Sequence, residues 1–81
     1  MIGSVEFNPN AQQEVADTFD WYESREGGLG SEFLEALDDC IRLIRLHPEM
    51  YPIAFKNYRR GLLTRFPFAV FYRIKSDVLT I

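Results

Sequence analysis

The sequence has few of the residues that carry metal or redox chemistry, since it contains one cysteine, Cys40, and one histidine, His47. A single cysteine cannot form an internal disulfide, which indicates a reducing compartment and predicts a cytoplasmic protein. One histidine with one cysteine also excludes the usual spacings of zinc sites. The paired acids of the predicted second helix have no converging third ligand, so the sequence predicts no metal site and no cofactor.

Long apolar runs are lacking as well. No stretch approaches the roughly 18–20 apolar residues that a membrane-spanning helix requires, so no membrane association is expected. The N-terminal Met-Ile-Gly-Ser-Val-Glu has neither the basic nor the apolar region of a secretory signal. A chain of 81 residues predicts one domain, residues 1–81, with a small core, because it buries only about 60–65% of its unfolded surface.

Charge is divided unevenly between the two parts of the chain. Residues 1–52 carry three basic and eleven acidic side chains, a net charge of −8, whereas residues 53–81 carry six basic and one acidic side chain, a net charge of +5. The whole chain is mildly acidic at −3, which argues against a general nucleic-acid coat protein, because such domains are usually basic. The pattern favours a focused basic patch on an acidic body.

Two amphipathic helices are predicted in the first part. Asn8 followed by Pro9 indicates a helix start, because asparagine caps the first turn and proline fits a position whose N–H has no partner. Gly27-Gly28 ends this helix, and a second helix begins around residues 29–31. His47-Pro48 closes the second helix, because proline disfavours a helical residue before it.

The remaining sequence shows the pattern of β-strands. Strands are predicted at residues 4–7, 53–55, 58–65, 68–74 and 78–81. Pro67 is placed at a turn, because proline cannot donate to a sheet ladder. The order of an N-terminal strand, an antiparallel helical hairpin and an antiparallel β-meander predicts an α+β domain. The last strand pattern stops at Thr80-Ile81, which is interpreted as a truncated C-terminus.

Five basic side chains around the predicted β-hairpin form the candidate binding set. They are Lys56, Arg59, Arg60, Arg65 and Arg73. Arginine donates paired hydrogen bonds to phosphate or carboxylate, so an anionic partner is expected, although an ordinary solvated edge strand carries similar charge. Adjacent strand residues point to opposite faces, so Arg59 is predicted to share an exposed face with Arg65. Arg60 is predicted to meet a helix acid or a partner.

The apolar pattern predicts which side chains fill the core. Mostly buried positions are expected at Phe19, Leu37, Ile41, Leu63, Val70 and Tyr72. Cys40 lies on the apolar stripe of the second helix and is expected to pack there. Core positions are also expected for Trp21, Phe66, Phe68 and Phe71, with exposure of Phe66 at the turn left open.

In the order of its motifs the chain resembles the RelE/ParE superfamily, the toxins of bacterial type II toxin–antitoxin pairs. The resemblance covers nearly the whole chain. It is carried by Ala11 with Trp21-Tyr22-Glu23, Leu29-Gly30 with Phe33-Leu34, His47-Pro48-Glu49, Arg59-Arg60, Arg65-Phe66-Pro67-Phe68 and Phe71-Tyr72-Arg73. Such toxins typically continue into a segment with a histidine or tyrosine and a further arginine, and no such segment follows Ile81 here.

The resemblance implies a growth-inhibiting toxin of a plasmid-stabilisation type, with a cognate antitoxin as its partner. That antitoxin would be a partly disordered protein that folds onto the toxin and covers the arginines. One branch of the superfamily poisons DNA gyrase, and another cleaves mRNA at the ribosome. The gyrase-type, non-enzymatic activity is favoured, because the groups expected for RNA cleavage are incomplete.

Two alternatives and the oligomeric state stay open. A ribosome-dependent endoribonuclease would place Arg59, Arg65 and Arg73 around the scissile phosphate, with Tyr72 or Tyr58 as proton donor. An inactive remnant would bind only the antitoxin. The chain could also form a homo-oligomer.

Overall fold

The chain folds as a helical hairpin packed on one face of a five-stranded mixed sheet. The structure is a computed structural model that describes residues 2–81. Its elements are β1 Ser4–Glu6, α1 Pro9–Arg25, α2 Leu29–Leu46, β2 Ile53–Phe55, β3 Tyr58–Leu62, β4 Ala69–Lys75 and β5 Val78–Thr80. The predicted α+β fold, with a strand, a helical hairpin and then a run of strands, is confirmed.

Helix α1 begins at the predicted Asn-Pro signal. The Asn8 side-chain oxygen accepts a hydrogen bond from the Ala11 N–H at 2.8 Å, and Pro9 occupies the first turn. The half-buried side chains of Val15 and Phe19 pack against the core. Helix α1 contacts mainly α2, and α2 in turn packs on the sheet.

The turn between the helices is fixed by Glu23 of α1. Its carboxylate accepts hydrogen bonds from the N–H groups of Gly28 and Gly30, each at 2.9 Å. It therefore satisfies free N–H groups at the start of α2 and places a negative charge at the positive end of the helix dipole. Gly28 has a φ of 91°, a left-handed conformation that glycine adopts without steric cost. A Cβ on Gly30 would lie 2.8 Å from the Phe19 ring, so glycine permits the close approach of the two helices.

The sheet order is β1-β5-β4-β3-β2. Strands β2 to β5 form the predicted antiparallel meander. Strand β1 lies at the edge, parallel to β5, with Ser4 opposite Val78 and Glu6 opposite Thr80. Strand β3 ends at Leu62, three residues before the predicted end at residue 65, and the loop that follows carries Pro67. The turn position of Pro67 is thus confirmed.

The predicted core is confirmed in its centre. Leu37, Leu63, Val70 and Tyr72 are buried, and Phe19 and Ile41 are half-buried. Cys40 is buried among them, as predicted, and burial raises the pKa of its thiol. The core is therefore formed mainly between α2 and the helix-facing side of the sheet.

Two of the aromatic side chains predicted for the core, Trp21 and Phe71, are exposed. Phe66, for which the sequence left exposure open, is buried. Trp21 is 53% exposed, with the Arg25 guanidinium 4.5 Å from its ring centroid. Phe71 is 41% exposed, because the buried Val70 and Tyr72 on either side of it take the other face of β4. Phe66 is buried, with its ring 4.9 Å from that of Tyr22.

Candidate binding surface on the open face of the sheet

Strands β3 and β4 have opposite chemistry on their two faces. Arg59 lies opposite Tyr72 in the ladder, and Arg60 lies opposite Phe71, so each pair shares one face. Tyr72 is buried under the helices, whereas Arg60 and Phe71 are exposed. We call the side that carries Arg60 and Phe71 the open face.

Arg59 and Tyr72 hold the linker between α2 and β2. The Arg59 guanidinium donates hydrogen bonds to the carbonyl oxygens of Tyr51 at 2.6 Å and Glu49 at 3.4 Å. The hydroxyl of Tyr72, which is 0% exposed, donates to the carbonyl oxygen of Pro48 at 2.9 Å. Burial raises the pKa of Tyr72, and the charge of Arg59 opposes part of that rise. In this conformation both residues position backbone, and neither faces the open side.

The prediction that Arg59 and Arg65 share an exposed strand face is wrong. Because β3 ends at Leu62, Arg65 lies in the loop, at a φ of 78°, where strand alternation no longer applies. Its guanidinium forms an ion pair with Glu32 of α2 at 2.8 Å. The arginine that meets a helix acid is therefore Arg65. Of the two contacts predicted for Arg60, the helix acid is wrong, and the contact with a partner stays a prediction.

The open face carries an aromatic cluster formed by Phe55, Tyr58 and Phe71. The rings of Phe55 and Tyr58 are stacked, with centroids 5.2 Å apart and planes inclined by 16°. Phe71 lies 5.8 Å from Phe55. Phe55 is 51% exposed, so the cluster offers apolar surface to a partner. Sequence reasoning missed this cluster, although the alternation of Phe71 with Tyr72 was a signal that could have identified it.

Basic side chains border the aromatic cluster. The Arg73 guanidinium lies 5.6 Å from the Tyr58 ring centroid, and Arg60 is exposed on the neighbouring strand. Lys56 is exposed in the turn between β2 and β3, at a φ of 49°. The ion pairs within residues 2–81 are those of Arg42 and Arg65, so none of these three side chains is neutralised by a carboxylate there. Of the five predicted binding residues, the structure brings Arg60 and Arg73 to this surface and places Lys56 in the exposed turn beside it. It directs Arg59 and Arg65 elsewhere.

An apolar groove of about 450 Å³ adjoins the same cluster. Phe55, Tyr58 and Phe71 form part of its lining. Other lining residues come from α1, from α2 and from the end of β5, and they include Val15, Leu37 and Ile81. The groove, which sequence reasoning also missed, brings together residues that are far apart in the chain.

Strand β4 is paired unevenly along the groove. Strand β3 pairs with residues 69–72 of β4, whereas β5 pairs only with residues 73–75. Residues 69–71 of β4 all line the groove.

Within residues 2–81 no group of three His, Cys, Asp or Glu side chains is arranged to hold a metal ion. His47 is exposed at the C-terminal end of α2. Neither helix of the described chain has the length and apolarity needed to cross a membrane.

Together, the exposed aromatics, the unneutralised basic side chains and the groove define a small α+β domain with a surface suited to binding a macromolecular partner. The chain belongs to the ParE toxin family, because the family model described as the ParE toxin of the type II toxin–antitoxin system parDE matches residues 5–81. The resemblance inferred from the sequence motifs is thereby confirmed.

A solved structure described as the chromosomal ParDE toxin–antitoxin system from P. aeruginosa has a similar fold. The match has a TM-score of 0.68 and 20% sequence identity, and it covers 96% of this chain and 88% of the other. A search of curated proteins found no match to this chain. The structural match supports the fold, and the family match supports the toxin assignment.

Proposed function

We propose that this toxin inhibits growth by binding a cytoplasmic target, DNA gyrase in the favoured case, and that a cognate antitoxin neutralises it. Membership of the ParE family carries this proposal, since that family is defined by its toxin–antitoxin system. In this proposal residues 1–81 act as one domain, and the biological outcome is stabilisation of the genetic element that encodes the pair.

The positions of the candidate catalytic groups support binding rather than RNA cleavage. A nuclease needs cationic side chains and proton-transfer groups around one phosphate. Arg59 and Tyr72 are hydrogen-bonded to backbone carbonyls of the linker, and Arg65 is paired with Glu32. Arg73 lies on the open face, so Arg59, Tyr72 and Arg65 do not converge with it on one site. The open face offers aromatic and arginine side chains instead, the residue types that contribute most to protein interfaces.

The experiment is inducible expression of the chain in a bacterial host, with and without the protein encoded by the adjacent open reading frame. We expect growth arrest with a DNA-damage response and intact transcripts, and we expect rescue by the adjacent gene product. In vitro, the purified chain should inhibit supercoiling by purified gyrase. Arg60→Glu should weaken this inhibition, whereas Arg45→Glu, an exposed arginine on α2, should not.

Other outcomes identify the alternatives. Transcripts cut at ribosomes, with gyrase unaffected, would replace the proposal by a RelE-like endoribonuclease. Normal growth together with binding of the adjacent gene product would indicate a remnant that only binds antitoxin. Size-exclusion chromatography of the purified chain would show whether it is a homo-oligomer.

A further inference from the structure

We infer that the Arg73 guanidinium, held in place over the Tyr58 ring, binds a carboxylate of the toxin's protein target. The inference rests on the proposed function and specifies which contact on the open face recognises that target and with what chemistry. Three features of the described chain support it: a preformed stack, a row of side chains across the sheet and the scarcity of acidic residues on this face.

A stack of three side chains fixes the position of the Arg73 guanidinium. Its central carbon lies 5.6 Å from the centroid of the Tyr58 ring, within the distance of a cation–π contact. The ring of Phe55 is stacked on Tyr58 in turn, at 5.2 Å and 16°. The planar fork of an arginine can donate two parallel hydrogen bonds to one carboxylate. Because the side chain is already ordered over the ring, less conformational entropy is lost when the partner binds.

The stack belongs to a single row of side chains that crosses all five strands. In the sheet ladder Glu6 lies opposite Thr80, and Thr80 lies opposite Arg73. The register of β3 with β4 brings Tyr58 beside Arg73, and Phe55 lies opposite Tyr58 on β2. Since neighbouring strands are about 4.8 Å apart, the row is roughly 19 Å long. It runs from an aromatic end through a cation to a carboxylate, and a target that binds along it must match that order.

The charges around this row favour an anion at its centre. Glu6 is the one acidic residue within the five strands of the described chain, and it lies two strands, or roughly 10 Å, from Arg73. Arg60 is nearer, because it pairs with Phe71 and is therefore a diagonal neighbour of Arg73. Neither arginine has an ion-pair partner within residues 2–81. A carboxylate of the target at Arg73 would offset the repulsion between the two arginines.

These features favour a protein over a nucleic acid. Aromatic rings and arginines also suit stacked bases and phosphates. A phosphate backbone that followed the row, however, would bring its negative charge to Glu6, whereas a protein can place a basic or hydroxyl side chain there. The net charge of −3 for the whole chain opposes a nucleic acid as well. The occupant is therefore an acidic segment of the target protein, with an apolar side chain on Phe55 and a carboxylate on Arg73.

The test measures binding of the full chain to purified gyrase holoenzyme and uses lysine as a matched substitution. Lysine keeps the positive charge but has neither the fork nor the plane of arginine. Arg73→Lys should raise the Kd about tenfold, the loss expected for one hydrogen bond to a charged group. Arg60→Lys should raise it only about twofold, because an exposed arginine without a ring beneath it contributes mainly charge. Arg45→Lys on α2 should leave it unchanged.

A double-mutant cycle tests the role of the stack. Tyr58→Leu removes the ring beneath the guanidinium and leaves the charge of Arg73 in place, so it should also raise the Kd several-fold. The combined variant should bind about as weakly as Arg73→Lys alone, because both changes break the same contact. Circular dichroism of each variant should show the helix and strand content of the wild type.

A zero-length crosslink identifies the carboxylate itself. The amine that Arg73→Lys introduces lies near the position of the guanidinium, so a carbodiimide should couple it to an aspartate or glutamate of gyrase. Mass spectrometry of the digested product then locates both ends of the crosslink. The same amine introduced by Arg45→Lys should give no crosslink to gyrase.

Each other outcome overturns the inference. Equal effects of Arg73→Lys and Arg60→Lys, or additive effects in the cycle, would show that Arg73 contributes charge alone, and the proposed function would stand. Absence of a crosslink from position 73 would refute the carboxylate contact in the same way. A wild-type chain that neither binds nor inhibits gyrase would refute the gyrase target, and the inference with it. Binding of an oligothymidine, or self-association in sedimentation velocity, that Arg73→Lys abolishes while gyrase binding is unaffected would assign the site to a nucleic acid or to a second copy of the chain.

Discussion

The two faces of β3 and β4 make opposite use of adjacent residues. On the helix side, Arg59 and Tyr72 fix the linker that leads into β2. One position along each strand, Arg60 and Phe71 face outward. Phe71 contacts only the exposed aromatic cluster, and the Arg60 side chain has no ion pair in the described chain. The difference shows that residue type alone does not mark a functional arginine, since the direction of its side chain decides whether it supports the fold or is available to a partner.

The largest contrast in the free energy of unfolding is expected between two Leu→Ala substitutions. One lies in the core on the helix side of the sheet, and the other lies on the open face. Leu37→Ala should lower the free energy of unfolding by about 2–5 kcal/mol, because Leu37 is 4% exposed and its loss leaves a cavity. Leu62→Ala on the open face should cost about 1 kcal/mol or less, because Leu62 is 49% exposed. Urea denaturation of the two variants measures both values, and equal losses would contradict the division into two faces.

The second contrast compares adjacent arginines. Arg59→Ala should lower the free energy of unfolding by about 1–3 kcal/mol, because it leaves the Tyr51 carbonyl without its side-chain donor. Arg60→Ala should stay within about 0.5 kcal/mol of the wild type, because its side chain is exposed. Thermal unfolding followed by circular dichroism would test the pair. A destabilised Arg60→Ala with a neutral Arg59→Ala would invert the assignment.

Alkaline pH should lower the stability of the folded chain through three groups on the helix-facing side of the sheet. Burial raises the pKa of Cys40 above 9.0, and of Tyr51 and Tyr72 above 10.0. The folded chain therefore retains these protons at pH values where the unfolded chain has lost them. Stability should be constant with respect to these groups below about pH 9 and should fall as the pH rises through about 9 and 10.

The measurement is the melting temperature between about pH 7 and pH 11. In the wild type, the melting temperature should begin to fall in the pH range where thiols titrate. In Cys40→Ala the fall should begin only in the higher range where tyrosines titrate, because the variant lacks the group with the lowest ordinary pKa of the three. A decline that starts at the same pH in both proteins would show that the thiol makes no contribution.

The smallest effect is expected at Arg65. Arg65→Gln removes an ion pair with Glu32 whose side chains are 64% and 44% exposed, so it should cost roughly 0–1 kcal/mol. The difference from wild type should shrink further at high salt, which screens exposed charges. A loss as large as that of Arg59→Ala would show that the ion pair fixes the loop after β3.

The helices and the order of strands could be predicted because their signals are local. Asn8-Pro9 and Gly27-Gly28 mark helix ends through backbone chemistry that needs no distant partner. The side-chain direction of Arg65 could not be predicted, because it depends on where β3 stops. The parallel pairing of β1 with β5, and the division of β4 between β3 and β5, depend on contacts between distant segments, which local periodicity does not contain.

The parallel pairing at the sheet edge has a consequence for the order of folding. Strand β1 has one sheet neighbour, β5, and the contact joins residues 4–6 to residues 78–80. During synthesis the first strand to leave the ribosome must therefore wait, unpaired, for nearly the whole of the described chain. The hydrogen bonds that Glu23 accepts from Gly28 and Gly30 join residues only five and seven apart, so the helical hairpin can close early. Pairing of β1 with β5 instead costs the loop-closure entropy of the longest connection. We therefore expect the N-terminal edge of the toxin to be the last part of the sheet to become structured.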